Sequence, residues 1–81
     1  MSWSFTVRHR TKVGALAAFE GELLANPYTP HDGRLLAAAE VLAESMSEVL
    51  PEGFVWTIKT HGHINQNATG NLTVTVANDS A

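Results

Sequence analysis

His61-Gly62-His63 is the sharpest chemical signature in the chain. Two histidines at i and i+2 on a strand share a face, where neutral imidazoles can chelate zinc or a similar divalent ion. A zinc site needs at least a third protein ligand. His9 and His31, the other histidines, have no spacing that brings them to the pair, and no cysteine is present to supply a thiolate. The expectation is two solvated histidines at a strand end, with no metal and no cofactor.

A second constellation is basic. If the first strand registers beside the last two, Arg8 and Arg10 share an outer sheet face with Lys59, His61 and His63. Such a face can contact phosphates and defines a nucleic-acid reading. Against it, the chain as a whole is acidic and no aromatic residue stands on the outer parity to stack a base.

Catalysis finds little footing. Ser45 and Ser47 have no histidine near them in sequence, and the glycines form no phosphate-cradling pattern. Glu20 is a lone carboxylate among apolar neighbours, which reads as the rim of a surface or half of an ion pair. The chain is expected not to be an enzyme.

These residues must be positioned by a small number of elements. From Phe54 onward, Phe54, Trp56, Ile58 and Ile64 alternate with Val55, Thr57, Lys59, His61 and His63, the period of a half-buried strand. The polar run Asn65–Asn71 interrupts the pattern, and Leu72, Val74 and Val76 resume it against Thr73, Thr75 and Ala77. Two such runs around a polar, Gly-containing tip predict an antiparallel hairpin. Gly62, on the inner parity with Thr60, suggests a bulge or a close backbone approach.

Near the N-terminus, Trp3, Phe5 and Val7 alternate with Ser2, Ser4, Thr6 and Arg8, which predicts a strand from about Ser2 to His9. Thr11 is a suitable N-cap for a helix from Lys12 that ends by Ala25, since Asn26 precedes Pro27. Its large apolar residues, Val13, Leu16, Phe19, Leu23 and Leu24, fill one broad arc with Ala17. A second stripe, Gly14, Ala18, Gly21 and Ala25, offers small residues against which another helix could pack closely.

The second helix is predicted to start at Thr29 as N-cap with Pro30 in the first turn, or at Asp32 as cap, and to run to Pro51-Glu52-Gly53. Leu35, Ala39, Leu42, Met46 and Val49 form its apolar stripe, widened by Leu36, Ala43 and Leu50, with Glu40, Glu44 and Glu48 opposite. The fold class is therefore α+β: a β-α-α-β-β chain whose helical hairpin covers one face of a three-stranded sheet. Trp3, Phe5, Val7, Phe54, Trp56, Ile58, Leu72, Val74 and Val76 point inwards. Direction counting sets the second strand antiparallel to the first and the third parallel to it; both spatial orders, 1-2-3 and 1-3-2, satisfy the pattern. Residues 78–81 are expected to fray.

Eighty-one residues make one domain, at a size where oligomerisation often supplements a small core. No run approaches the roughly 20 apolar residues of a membrane span, and the N-terminus lacks the pattern of a signal peptide. Cytoplasmic residence is the expectation. The three glycosylation-like tripeptides that begin at Asn67, Asn71 and Asn78 are read as chance matches. Charge is segregated: the first twelve residues hold Arg8, Arg10 and Lys12 with no acid, whereas the helical part holds Arg34 against seven acids.

The alanine-rich helices, the short β-α-α-β-β order and the ending from His61-Gly62-His63 through Gly70-Asn71-Leu72-Thr73-Val74-Thr75-Val76 resemble the small orphan proteins of actinobacterial phages. The resemblance implies an intracellular product of an infected bacterium that acts by binding a host or phage protein. It carries no site residues. The residues themselves favour a non-catalytic protein-interaction module with some capacity for self-association. Its expected surface is the arc of Leu16, Phe19, Glu20, Leu23 and Leu24, because helix one has more apolar surface than a single packing face can hide.

Overall fold

The computed structural model describes residues 2–63 and 72–81. Strand β1 (Ser2–His9) is followed by helices α1 (Lys12–Ala25) and α2 (Arg34–Glu44), then by strands β2 (Phe54–His63) and β3 (Leu72–Ser80). The sheet order is β1-β2-β3, which resolves the open choice in favour of 1-2-3, and both pairings are antiparallel. Ile64 and the expected hairpin tip over Asn65–Asn71 lie outside the described residues. No helix among the described residues is long and apolar enough to cross a membrane.

The period-2 pattern translates directly into layers. Trp3, Phe5 and Val7 sit opposite Gly62, Thr60 and Ile58, which in turn sit opposite Leu72, Val74 and Val76. All of these belong to the face that the helices cover. On the central strand, Trp56 and Ile58 are completely or almost completely buried, and Phe19 of α1 is buried with them. Phe5 links them to β1, its ring 5.5 Å from that of Phe19 and 6.4 Å from that of Trp3. Helix α1 packs on β1 and β2, whereas α2 packs on β3.

Helix α1 starts and stops as its sequence dictates. The Thr11 hydroxyl accepts the Gly14 N–H at 3.0 Å, and Asn26 ends the helix in an extended conformation. Its orientation differs from the expected one. Ala15, Phe19 and Leu23 face the core and Leu16 is half-buried, but Val13, Ala17 and Leu24 are exposed. The small-residue stripe does not receive α2: an atom added at Gly21 would meet nothing within 4 Å, and Gly14 lies beneath the His9 ring.

Helix α2 is shorter than its periodicity predicts at both ends. Thr29 serves the preceding helix instead of capping the next, its hydroxyl donating to the Leu23 carbonyl at 2.6 Å and lying 3.0 Å from that of Asn26. The N-cap is Gly33 at φ +83°, and Asp32 beside it accepts the Arg34 N–H at 3.1 Å. The Arg34 side chain also donates to Asp32 and holds that carboxyl below its ordinary range. At the other end, the Ser45 hydroxyl donates to the Leu42 carbonyl and Ser47 accepts the Val49 N–H. Serines that bond their own neighbourhood compete with the helical ladder. Val49 is therefore off the helix and 85 % exposed, and Leu42 is more exposed than a core position allows.

A β-turn closed by Phe54 N–H to the Pro51 carbonyl leads into β2, with Gly53 at φ +83°, a conformation that favours glycine. Strand β3 continues through residues 78–80, where Phe54 pairs with Ser80 and the Ala81 N–H donates to the Gly53 carbonyl. At this end of the core the Trp56 indole N–H is buried without an acceptor among the described residues. Asn78, directly across the ladder, has a buried side-chain oxygen without a donor.

The register passes Gly62 without a bulge; the glycine instead permits a close approach. An atom added at its Cα would stand 2.4 Å from the Trp3 indole and 2.8 Å from Leu72. Gly62→Ala is expected to destabilise the fold by about 1–3 kcal/mol, since a packed indole must give way. Gly21→Ala is expected to stabilise it by about 1 kcal/mol, since it gains helix propensity in open space. Paired urea titrations check both signs.

Candidate functional site

Two surfaces gather the residues that could act on something outside the chain. The first is the sheet face that no helix covers. Along the central strand it presents Lys59, His61 and His63, all exposed, and on β1 it presents Ser2, Ser4, Thr6 and Arg8. Thr73 and Thr75 flank the other side, opposite His61 and Lys59. Four of the five residues of the basic constellation thus share one face. Arg10 does not join them, because it lies beyond the end of β1 in the turn to α1. Among the described residues the face is rich in hydroxyls and carries no aromatic side chain; Asp79, opposite Val55, is the acid at its far end.

The two histidines line an open depression of about 440 Å³ with Ser2, Trp3, Ser4 and Gly62. Serine hydroxyls do not replace the missing third ligand. Among the described residues no group of three or more histidine, cysteine, aspartate or glutamate side chains could hold a metal ion. What the pair offers is two exposed imidazoles on the same face as Lys59.

The second surface is a groove between the C-terminal half of α1 and the start of α2. It encloses about 250 Å³ and is lined by Glu20, Leu23, Leu24, Pro30, His31, Gly33 and Leu36. Asn26 braces the loop that carries Pro30 and His31. The Asn26 side-chain oxygen accepts the Tyr28 N–H at 2.9 Å, and its backbone carbonyl lies 2.9 Å from His31 Nε2. A carbonyl can only accept, so His31 carries its proton on Nε2 in that contact. Leu23 and half-buried Leu36 form the floor, and Leu24, 62 % exposed, stands on the rim beside exposed Glu20. Glu20 forms no salt bridge among the described residues.

The expected interaction arc is therefore only partly a surface. Phe19 is fully buried and Leu23 is 5 % exposed, so both belong first to the core; Leu16 is half-buried. Glu20 and Leu24 remain available. The arc was too wide because apolar residues surround most of α1, and periodicity alone does not fix which part of such a helix meets the sheet. Pro30, His31 and Leu36 were missed as groove residues. Pro30 and His31 arrive there through the course of the loop, which leaves no periodic signal, and Leu36 comes from the apolar stripe of α2.

Compared with protein-family models, with curated proteins and with solved structures, the chain has no match. Function must be argued from the surfaces themselves. Zinc titrated calorimetrically into the protein is expected to show no one-to-one complex of micromolar affinity or better. A tight complex abolished by His61→Ala would contradict that expectation.

Proposed function

We propose that the chain is a non-catalytic protein-interaction module whose working surface is the groove between α1 and α2. The observation that carries this reading is the combination of an apolar floor, Leu23 and Leu36, with an exposed leucine and an unpaired carboxylate on the rim. An exposed apolar concavity on a small protein usually marks a contact. Charge selects the occupant. Glu20, Glu22, Glu40 and Glu44 are exposed on the helical layer, while its cations Lys12 and Arg34 are engaged by Glu48 and Asp32. The fitting partner is a protein segment that presents an apolar side chain next to a lysine or arginine. The likeness to phage proteins points to the same kind of partner, a host or phage protein.

Tagged protein retained on a column should capture such a partner from its host, and Leu24→Glu or Glu20→Lys should lose it. Lys59→Ala should retain it. Capture that survives both groove variants would overturn the assignment.

A second reading rests on the register, which places Arg8, Lys59, His61 and His63 on one uncovered face. On that reading the face binds nucleic acid through phosphates, with affinity that falls as salt rises. Fluorescence anisotropy with a labelled oligonucleotide separates the two. Binding no tighter than micromolar at physiological salt is expected on the first reading; a tighter complex lost in Arg8→Ala/Lys59→Ala supports the second.

A further inference from the structure

Asp32 stands between two residues that line the groove, His31 and Gly33. It is also the one place in the chain where an aspartate or asparagine precedes a glycine. That dipeptide is open to attack on the side-chain carboxyl by the next backbone nitrogen, because glycine has no side chain to hinder the approach. We propose that Asp32 is a site of spontaneous isomerisation to isoaspartate, and that Arg34 restrains the reaction by clamping the Asp32 carboxylate. The chemistry does not depend on the role assigned to the groove.

The conversion is redox-neutral and needs only water. The Gly33 backbone nitrogen attacks the Asp32 side-chain carboxyl carbon; a C–N bond forms, and the carboxyl OH leaves with the amide proton as water. A succinimide ring results. Water then adds to one of its two carbonyls. Addition at the former side-chain carbonyl restores aspartate. Addition at the former main-chain carbonyl breaks the original bond to Gly33, so the chain now runs through the side-chain carbons and the old backbone carbon becomes a free carboxylate. The product has the same mass and charge, with one more methylene along the backbone.

Space does not prevent ring closure. An atom added at the Gly33 Cα would meet nothing within 4 Å, and among the described residues the Gly33 N–H has no acceptor. The restraint lies on the carboxyl instead. One oxygen accepts the Arg34 N–H at 3.1 Å, and the other accepts from Arg34 Nε at 2.8 Å and from Nη2 at 2.6 Å. Only an un-ionised carboxyl can expel water, and a carboxylate held in a guanidinium fork stays ionised. The Arg34 side-chain hydrogen bonds accordingly hold Asp32 below the ordinary carboxylate range. Both partners are half in solvent, so the restraint is partial.

The segment is anchored on both sides of the reacting bond. His31 Nε2 donates to the Asn26 carbonyl at 2.9 Å, and the Gly33 carbonyl accepts the Ala37 N–H at 2.9 Å. A methylene inserted between these anchors must displace one of them or shift the lining of the groove.

Folded protein is incubated for weeks at neutral pH and physiological temperature, then digested, and isoaspartate is located by peptide retention and electron-transfer fragmentation. The unmodified chain should accumulate it slowly at Asp32 and not at Asp79, the other aspartate, which precedes serine. Arg34→Ala, with its circular dichroism unchanged, should accumulate it about two- to fivefold faster, the range that loss of an exposed ion pair supports. Asp32→Glu, which must close a larger ring, should give none. A further readout needs no folded variant: in urea the unmodified chain should react faster than when folded, at the same rate as Arg34→Ala. Equal rates in the two folded proteins would overturn the clamp, as would a difference that persists in urea. Absence of isoaspartate at Asp32 in Arg34→Ala would overturn the site.

Discussion

Everything in this fold hangs on the burial of the inner row of β2 beneath α1. Trp56 and Ile58 project from the central strand into the space that Phe19 fills from above, and all three are shut off from water. Full burial of side chains of this size is worth roughly 1.5–3 kcal/mol each, a large part of what a small domain can muster. Because α1 is committed to β1 and β2, α2 is left to pack mainly on β3 and on α1 itself. Its eleven residues form a short cover for a nine-residue strand. The half-buried row of β3 and the exposed flank of α2 are two sides of that one shortage.

The layered arrangement also sorts charge. Helices occupy one face only, so acids on their outward sides form one electrostatic pole, and the uncovered sheet face with Arg8 and Lys59 forms the other. The chain is acidic in sum, at a net charge of −3, yet it presents surfaces of opposite character to different partners. The groove lies on the acidic side, and the histidine pair lies on the basic one.

Much of this was legible in the sequence. Alternation placed Trp3, Phe5, Val7, Trp56, Ile58, Val74 and Val76 on the covered face, since a strand has only two faces and one carried the large apolar residues. The capped start of α1 and its stop before Pro27 were equally plain. The limits of α2 were not. Thr29 and Ser47 are residues whose side chains bond backbone in several contexts, and the partner each takes depends on where the chain goes next. Strand order was open because parity is the same for 1-2-3 and 1-3-2. For the candidate site, Glu20 and Leu24 could be singled out from the sequence. The groove could not, because it is made where a loop folds back over a helix.

The register of the sheet divides its hydrogen bonds into two very different kinds. Leu72 pairs with Gly62 across a short span of chain, but Trp3 reaches the same glycine only after both helices and the whole of β2 have been traversed. The entropic cost of loop closure grows with the length of the loop, so it falls chiefly on β1. That strand also supplies the indole that lies against Gly62 and the phenyl ring that contacts Phe19. The N-terminal strand is thus the keystone: the segment most remote in sequence from its partners completes the core.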